Sequence, residues 1–435
     1  MPKAPLKRAL LAYSGGLDTS YLVAWLTREE GFEVTTLTVD CGGFTQKDHA
    51  ELAERARAFG AVRHIGVDAR AELFERVLRH LIAGNVRRGG TYPISVAAER
   101  GLQAETLAEV ARAEGFDTVA HGCTGAGNDQ VRFEAALAIV SEGLCVLAPV
   151  RDLAPSREEE VAYLQKAELP IPGGNRAVYS VNAGLWGLTI GGRETLTSDQ
   201  PLPEEAWCWT KGGKGEAVLH VRFAGGVPVA LDLGQGERSF SPVALIEELN
   251  AFAGARGVGR GYHLGDTVLG IKGRIGYEAP AAEVLLNAHK ELEKLVLVED
   301  QRFWKDQLGE VYGRKLHQGL LHDPFLRDVE AFFASSQPRV TGVVRVRLTG
   351  GRALVEGVSS PYSMMAASDA AYGERPSADS SPEGAARLAR VLAEPARLAR
   401  RAGQRAAQIS GIGATTPEPL REGTPEPLSM EGVAS

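Results

Sequence analysis

Ala9-Leu10-Leu11-Ala12-Tyr13-Ser14-Gly15-Gly16-Leu17-Asp18-Thr19-Ser20 decides the fold class of this chain. An apolar run ends in a tight polar turn, and a second apolar run, Tyr21 to Leu26, follows at once. That order reads as a buried strand, a glycine turn and the start of a helix. A helix N-terminus carries unpaired backbone N–H groups and the positive end of the helix dipole, so it favours an anion. With the hydroxyls of Ser14, Thr19 and Ser20 around it, the expected guest is a phosphate group. A Walker loop is excluded, because no G-x-x-x-x-G-K-[ST] occurs. The plainer role is a strand–helix joint, with glycine supplying φ > 0 and Ser14 or Thr19 capping the helix.

Outward from this stretch, strand-like and helix-like runs alternate. Strands are expected at 10–13, 34–39, 62–67, 118–120 and 145–149, and helices at 46–59, 72–83, 102–114 and 129–141. Leu52, Ala56 and Phe59 show the helical spacing. A βαβα order implies a parallel sheet covered by helices, with ligands beyond the carboxyl ends of its strands. The loops at 14–20, 40–43 and 121–129 are therefore expected to open onto one crevice.

The texture changes near Leu169. Pro170, Pro172, Gly173 and Gly174 end the helix expected at 157–166. Strands are expected at 216–223, 227–233, 268–271 and 340–348, a helix near 242–252, and a glycine-rich loop at 256–265. Residues 1–168 form the expected first domain and 169–370 a second, α+β one. An Ala/Leu/Arg-rich helix is expected at 381–405. The tail 406–435 repeats Thr-Pro-Glu-Pro-Leu at 416–420 and 424–428. It has too little apolar content to pack and is expected to be disordered.

The 435 residues contain 44% hydrophobic and 24% charged side chains, which allows a sizeable core. Their net charge of −7 argues against a broad nucleic-acid surface. No apolar run approaches the ~18 residues of a membrane span, and the start, Met1-Pro2-Lys3, reads as no signal peptide. Cys41, Cys123, Cys145 and Cys208 are scattered without a C-x-x-C pair, so they suggest neither a zinc nor a redox site. Such cysteines fit a reducing cytoplasm.

The second informative stretch is Ala120-His121-Gly122-Cys123-Thr124-Gly125-Ala126-Gly127-Asn128-Asp129-Gln130-Val131-Arg132-Phe133-Glu134. A strand ends, a glycine-rich loop turns, and a helix begins near Asn128. Asn128 and Arg132, four apart, share a helix face. An amide beside a guanidinium suits a carboxylate or a urea-like group. The plainer alternative is Asn128 as N-cap and Arg132 on the surface.

The first loop resembles the S-G-G-x-D-[ST]-[ST] loop of N-type ATP pyrophosphatases, which split ATP between its α and β phosphates. Together with A-H-G-C-T-G-x-G-N-D-Q-V-R-F-E it resembles the argininosuccinate synthase family. Arg88-Gly89-Gly90-Thr91-Tyr92-Pro93, Pro149-Val150-Arg151-Asp152, Val178-Tyr179-Ser180 with Leu185-Trp186-Gly187, Gly257-Val258-Gly259-Arg260 and 270–278 match further elements in the family's order. The resemblance spans roughly residues 8–350. It implies a Rossmann-like nucleotide-binding domain, a synthetase domain and a C-terminal oligomerisation helix exchanged within a homotetramer. It also implies a cytoplasmic enzyme of arginine biosynthesis that joins citrulline to aspartate through a citrullyl-adenylate. ATP, with Mg²⁺, is the co-substrate, and AMP and pyrophosphate are released. By resemblance, Ala12, Tyr13, Ser14, Gly15, Gly16, Leu17, Asp18, Thr19, Ser20, Val39 and Gly122 bind ATP. Thr124, Asn128 and Asp129 bind aspartate. Tyr92, Asn128, Arg132, Ser180, Thr189 and Tyr277 bind citrulline. Asp18, Asn128 and Asp129 are the candidate catalytic residues.

Several positions depart from the family pattern. The lysine usual between the loop glycines is Ala126, and the D-x-G-Q element reads Asp40-Cys41-Gly42-Gly43. A serine expected five residues after Tyr92 is Ala97. The D-x-N of the Y-S segment reads Asn182 and Gly184, and a glutamate expected twelve residues before Tyr277 is Gly265. Two alternatives therefore stay open on sequence alone: another adenylating enzyme of this fold with an altered substrate, and a non-catalytic nucleotide-binding homologue.

Overall fold

The computed structural model describes residues 7–125, 127–172, 179–377 and 381–410. β1 (Arg8–Ala12) feeds α1 (Leu17–Arg28), and β2 (Glu33–Asp40) feeds α2 (Gln46–Ala58). β3 (Arg63–Asp68) is followed by a helical run over 70–83 that contains a π-turn at Phe74–Leu78. α3 (Glu99–Ala113), β4 (Thr118–Ala120), α4 (Asn128–Val140), β5 (Cys145–Leu147) and α5 (Arg157–Lys166) complete the alternation. All five strands pair in parallel, in the order β3-β2-β1-β4-β5. Leu10 and Leu11 of β1 are fully buried on opposite faces of the sheet, in two separate apolar clusters. Both faces are therefore covered by helices, which is why a parallel strand reads as a continuous apolar run.

The strand order reverses at β1, with β2 on one side and β4 on the other. The switch point opens a crevice at the carboxyl ends of β1 and β4. The two glycine-rich loops leave these two strands.

A second, antiparallel sheet has the order β11-β12-β7-β6, built from β6 (Ser180–Gly184), β7 (Gly187–Gly191), β11 (Arg260–Asp266) and β12 (Lys272–Glu278). The tight turn of its β6–β7 hairpin anchors it to the parallel sheet. Leu185 N donates to Cys41 O at 2.7 Å, and the buried Trp186 indole donates to Pro93 O at 3.1 Å. Gly187 at the turn has φ +140, and a Cβ there would lie 2.5 Å from Glu278 O, so glycine is required twice over. A third sheet, β10-β9-β8-β13-β14, combines β8 (Ala217–Ala224), β9 (Val227–Asp232), β10 (Glu237–Ser239), β13 (Gly342–Thr349) and β14 (Arg352–Ser359). α6 (Pro242–Gly254), α7 (Pro280–Val296), α8 (Glu299–His317) and α9 (Pro324–Ser336) are the principal helices of this half. Residues up to Met364 form one compact unit and those from Met365 a second. The second contains α10 (Pro382–Ser410), a helix with Pro395 inside it and Leu388, Val391, Leu392 and Leu398 exposed along it.

The parallel-sheet half follows the sequence expectation, with α3 starting three residues earlier than expected and β5 ending two earlier. Two expectations are corrected. The glycine-rich stretch 256–265 is a loop only to Gly259, after which β11 begins. The apolar stretch 268–271 is the turn joining β11 to β12, and the strand is β12 itself. Leu269 and Ile271 are exposed, so their apolar character marks a hairpin tip rather than a core strand. α10 reaches Ser410, beyond the expected 405, and the repeats at 416–428 lie outside the described residues.

Glu278, fully buried at the end of β12, accepts from the backbone N–H groups of Cys208, Trp209 and Thr210 at 2.7, 3.0 and 2.7 Å, and from the Thr210 hydroxyl. One carboxylate thus holds the entire 208–210 turn against the sheet. Glu278→Ala leaves these donors buried without a partner and is expected to cost about 3 kcal/mol or more. A urea titration should show the midpoint falling, with Glu278→Gln falling less.

Candidate active site

The phosphate loop is built by three constraints. Gly15 takes φ +73, and a Cβ on it would lie 2.3 Å from the side chain of Leu52. Arg55 of α2 donates to Gly15 O at 2.9 Å and holds the loop down. α1 then starts on Gly16, which offers no side-chain cap. Its first N–H groups and the exposed Ser14 side chain face the cavity mouth, with Ser14 Oγ 3.3 Å from Thr19 Oγ1. An uncapped N-terminus with hydroxyls beside it is an anion site. Ser14 and Thr19 therefore do not play the capping part that the plainer reading gave them.

α4 begins in the same way. Its N-cap is Gly127, without a side-chain cap, so Asn128 is the first helical residue and not the cap. Asn128 Oδ1 accepts from Val268 N at 2.8 Å and ties the β11–β12 turn to the helix. Arg132 is buried rather than on the surface; its Nε donates to His317 O at 2.8 Å and its Nη1 to Asp129 Oδ1 at 2.7 Å. The other oxygen of Asp129 lies 3.0 Å from Arg100 Nη2. Burial would raise the Asp129 carboxyl, but the two guanidinium groups outweigh it and hold it below the usual carboxylate range. His121, at the end of β4, pairs with Glu134 Oε1 at 3.1 Å.

The third wall comes from the antiparallel sheet. Thr189 of β7 lies between Asn182 of β6 and Tyr277 of β12 in register. Tyr277 donates its hydroxyl to Thr91 O at 3.1 Å and packs on Tyr92, whose other neighbour is the stacked ring of His263. Asp40 fixes the loop after β2 by accepting from Gly42 N and Gly43 N at 2.7 and 3.2 Å.

These walls enclose one cavity of about 900 Å³. Ala12, Tyr13, Ser14, Gly16, Asp18, Thr19, Val39, Gly122, Tyr92, Thr124, Asn128, Asp129, Arg132, Ser180 and Thr189 all line it. Gly15, Leu17, Ser20 and Tyr277 do not line it. Leu17 and Ser20 are buried behind the loop, where Ser20 Oγ meets Tyr13 Oη at 3.3 Å. Ala126 lies outside the described residues. Sequence reasoning missed Glu99, Arg100, Gln103, His263 and His317, which also line the cavity. Arg100 and Gln103, three apart, share a face of α3, but polar residues on a covering helix are ordinary and gave no signal of a site.

Two thiols also line the cavity. Burial pushes Cys41 well above the ordinary thiol value, and pushes Cys123 up to about 12. Both stay protonated near neutrality, so neither is a thiolate nucleophile. Among the described residues no group of three or more His, Cys, Asp or Glu side chains is arranged to hold a metal ion.

A parallel sheet with an uncapped, glycine-opened helix at its switch point defines a nucleotide-binding α/β protein. Residues 8–170 match the family described as Arginosuccinate synthase N-terminal HUP domain, and residues 179–390 match the Arginosuccinate synthase C-terminal domain. Similar proteins include the argininosuccinate synthase of Methanocaldococcus jannaschii, 41% identical over 82% of this chain and 89% of the relative. That of Symbiobacterium thermophilum is 40% identical over 84% and 91%, and that of Bacillus pumilus 40% over 82% and 88%. The chain belongs to the argininosuccinate synthase family.

The Asp129 carboxyl has a lower pKa folded than unfolded, where it is about 3.9. Its contribution to stability is complete above the unfolded value and is lost as pH falls through the folded one. Unfolding midpoints measured from pH 6 down to pH 2 should therefore decline less steeply for Asp129→Asn than for the unaltered protein.

Proposed function

We propose that this chain is an ATP-dependent ligase that joins citrulline to aspartate, with the residue roles its family membership suggests. The ureido oxygen of citrulline attacks the α-phosphorus of ATP and pyrophosphate leaves. The aspartate amine then attacks the ureido carbon, AMP leaves, and argininosuccinate is formed. The observation that carries this reading is the facing of two uncapped helix starts, at Gly16 and Gly127, across one cavity. One suits a polyphosphate; the other carries Asn128, Asp129 and Arg132, groups suited to amino-acid ends. Catalysis on this reading is positioning and charge stabilisation, and the protein supplies no covalent intermediate.

In this reading Ser14, Gly16 and Thr19 hold the pyrophosphate, with Asp18 acting on it through the Mg²⁺ ion and Gly15, Leu17 and Ser20 behind them. Ala12, Tyr13, Val39 and Gly122 bound the nucleoside side. Thr124, Asn128 and Asp129 take aspartate. Tyr92, Arg132, Ser180 and Thr189 take citrulline, with Tyr277 acting from behind Tyr92. Mg²⁺ fits as an ion carried in by ATP, because Mg²⁺ keeps waters and phosphate oxygens as most of its ligands. Asp18, which lines the cavity at the loop, is the carboxylate that would hold it there. The ion would neutralise phosphate charge. The exposed apolar stripe of α10 supports a role in assembling a homotetramer, and the enzyme is proposed to work in the cytoplasm.

AMP and pyrophosphate should form from ATP only when citrulline and aspartate are both present; AMP release indifferent to citrulline would refute the ligase reading. Arg132→Ala is expected to raise the citrulline KM at least tenfold while moving the ATP KM less than threefold, consistent with loss of about 1.4 kcal/mol or more at one substrate. Removal of residues 382–435 should lower the solution mass from a tetramer to a smaller species, and an unchanged mass would exclude α10 from assembly.

A further inference from the structure

One carboxylate at this cavity has an oxygen that no donor among the described residues reaches. Glu99, the first residue of α3, is 2% exposed and lines the cavity, and no hydrogen-bond donor among the described residues reaches its Oε1. Arg100, next in sequence, makes no hydrogen bond to it: Nη1 donates to Gln103 Oε1 at 2.8 Å, Nη2 lies 3.0 Å from Asp129, and Nε has no partner among the described residues. Burial pushes the Glu99 carboxyl well above its ordinary value; Arg100 offsets part of this, while Asp129 and Asp40 add to it. A buried acceptor with nothing to accept from is costly, and such groups persist where a ligand completes them.

Space for this carboxyl is made by a glycine on another element. A Cβ on Gly184, the last residue of β6, would lie 1.7 Å from Glu99 Oε1. Gly184 stands where the family pattern leads one to expect asparagine, so the corner gains a carboxyl from α3 where β6 has no side chain. Glu99 Oε1 fills the space beside Gly184, and Ser180, Asn182 and Asp129 line the same cavity as Glu99. Both Asp129 oxygens already face guanidinium groups. Among the described residues Glu99 is thus an acceptor still unengaged beside the amino-acid region, and a partner that carries both N–H donors and positive charge fits it.

We propose that Glu99 is a substrate-binding residue that accepts a hydrogen bond from the protonated α-amino group of one of the two amino-acid substrates, its carboxyl seated in the space that Gly184 leaves. This rests on the ligase reading above. A charge-assisted bond of this kind forms with the ammonium of either citrulline or aspartate, and the test separates the two.

Steady-state kinetics of full-length Glu99→Gln, varying ATP, citrulline and aspartate in turn, is the experiment. The expected result is a rise of at least about tenfold in the KM of an amino acid, with ATP KM within twofold. The larger rise identifies the substrate held. Gly184→Ala keeps the carboxyl but drives it aside, and should raise the same KM, which guards against a folding defect peculiar to Glu99→Gln. Unchanged amino-acid KM values in both variants, or equal rises for all three substrates, would overturn the role of Glu99. Failure of the unaltered protein to form AMP from ATP, citrulline and aspartate would instead overturn the ligase reading, and the amino-group assignment with it.

Discussion

The cavity is arranged around two helices that start on glycine. α1 begins on Gly16 and α4 on Gly127, and neither start is capped by a side chain. A helix start of this kind leaves N–H groups unpaired and must meet water or a ligand. The parallel sheet decides where they point. Its order reverses at β1, so the loops after β1 and β4 are neighbours and both helices aim into one opening. Gly122 shows how close they come: a Cβ there would lie 3.1 Å from Thr19 Cγ2. The two loops are one object, and a bulkier residue in either presses on the other.

The antiparallel sheet closes the cavity because three hydrogen bonds, each with a backbone group at one end or both, fasten it in place. Leu185 N reaches Cys41 O, and Trp186 reaches Pro93 O. Asn128 Oδ1, which accepts from Val268 N, adds a third tie from the far side. The stack of His263, Tyr92 and Tyr277 is held between these ties. A cavity with walls from three sources, each pinned by hydrogen bonds, holds several groups at fixed separations. Direct transfer between bound substrates requires that kind of rigidity.

The parts of this arrangement that were legible in the sequence are the local ones. Strand, glycine turn and helix occur within twelve residues at 9–20, and the turn chemistry is sufficient to read them. The same is true of 120–134. Arg100 and Glu99 were not legible as site residues. Their helix reads as an ordinary covering helix, and only the topology turns its first turn toward the crevice. β11 was read as a loop because Arg260-Gly261-Tyr262-His263-Leu264-Gly265-Asp266 is poor in branched residues, although its partner β12 supplies the pairing. Propensity yields there to tertiary pairing. Leu269 and Ile271 misled in the opposite sense, since apolar residues at an exposed hairpin tip imitate a strand.

The charge pattern of the cavity gives the last constraint. Cys41 and Cys123 stay protonated, which removes the soft nucleophiles from the site. Arg132 donates to Asp129 and a backbone carbonyl, and Arg100 to Asp129 and Gln103. Arg132, Asp129 and Arg100 form a fixed scaffold of alternating charge, and a fixed scaffold stabilises charge developing in a bound molecule without reorganising. The phosphate loop works in the same way, through N–H groups that the backbone holds in place. A site built from such parts favours displacement between two bound substrates over covalent capture of either, because its charged groups are fixed in place and its thiols are protonated.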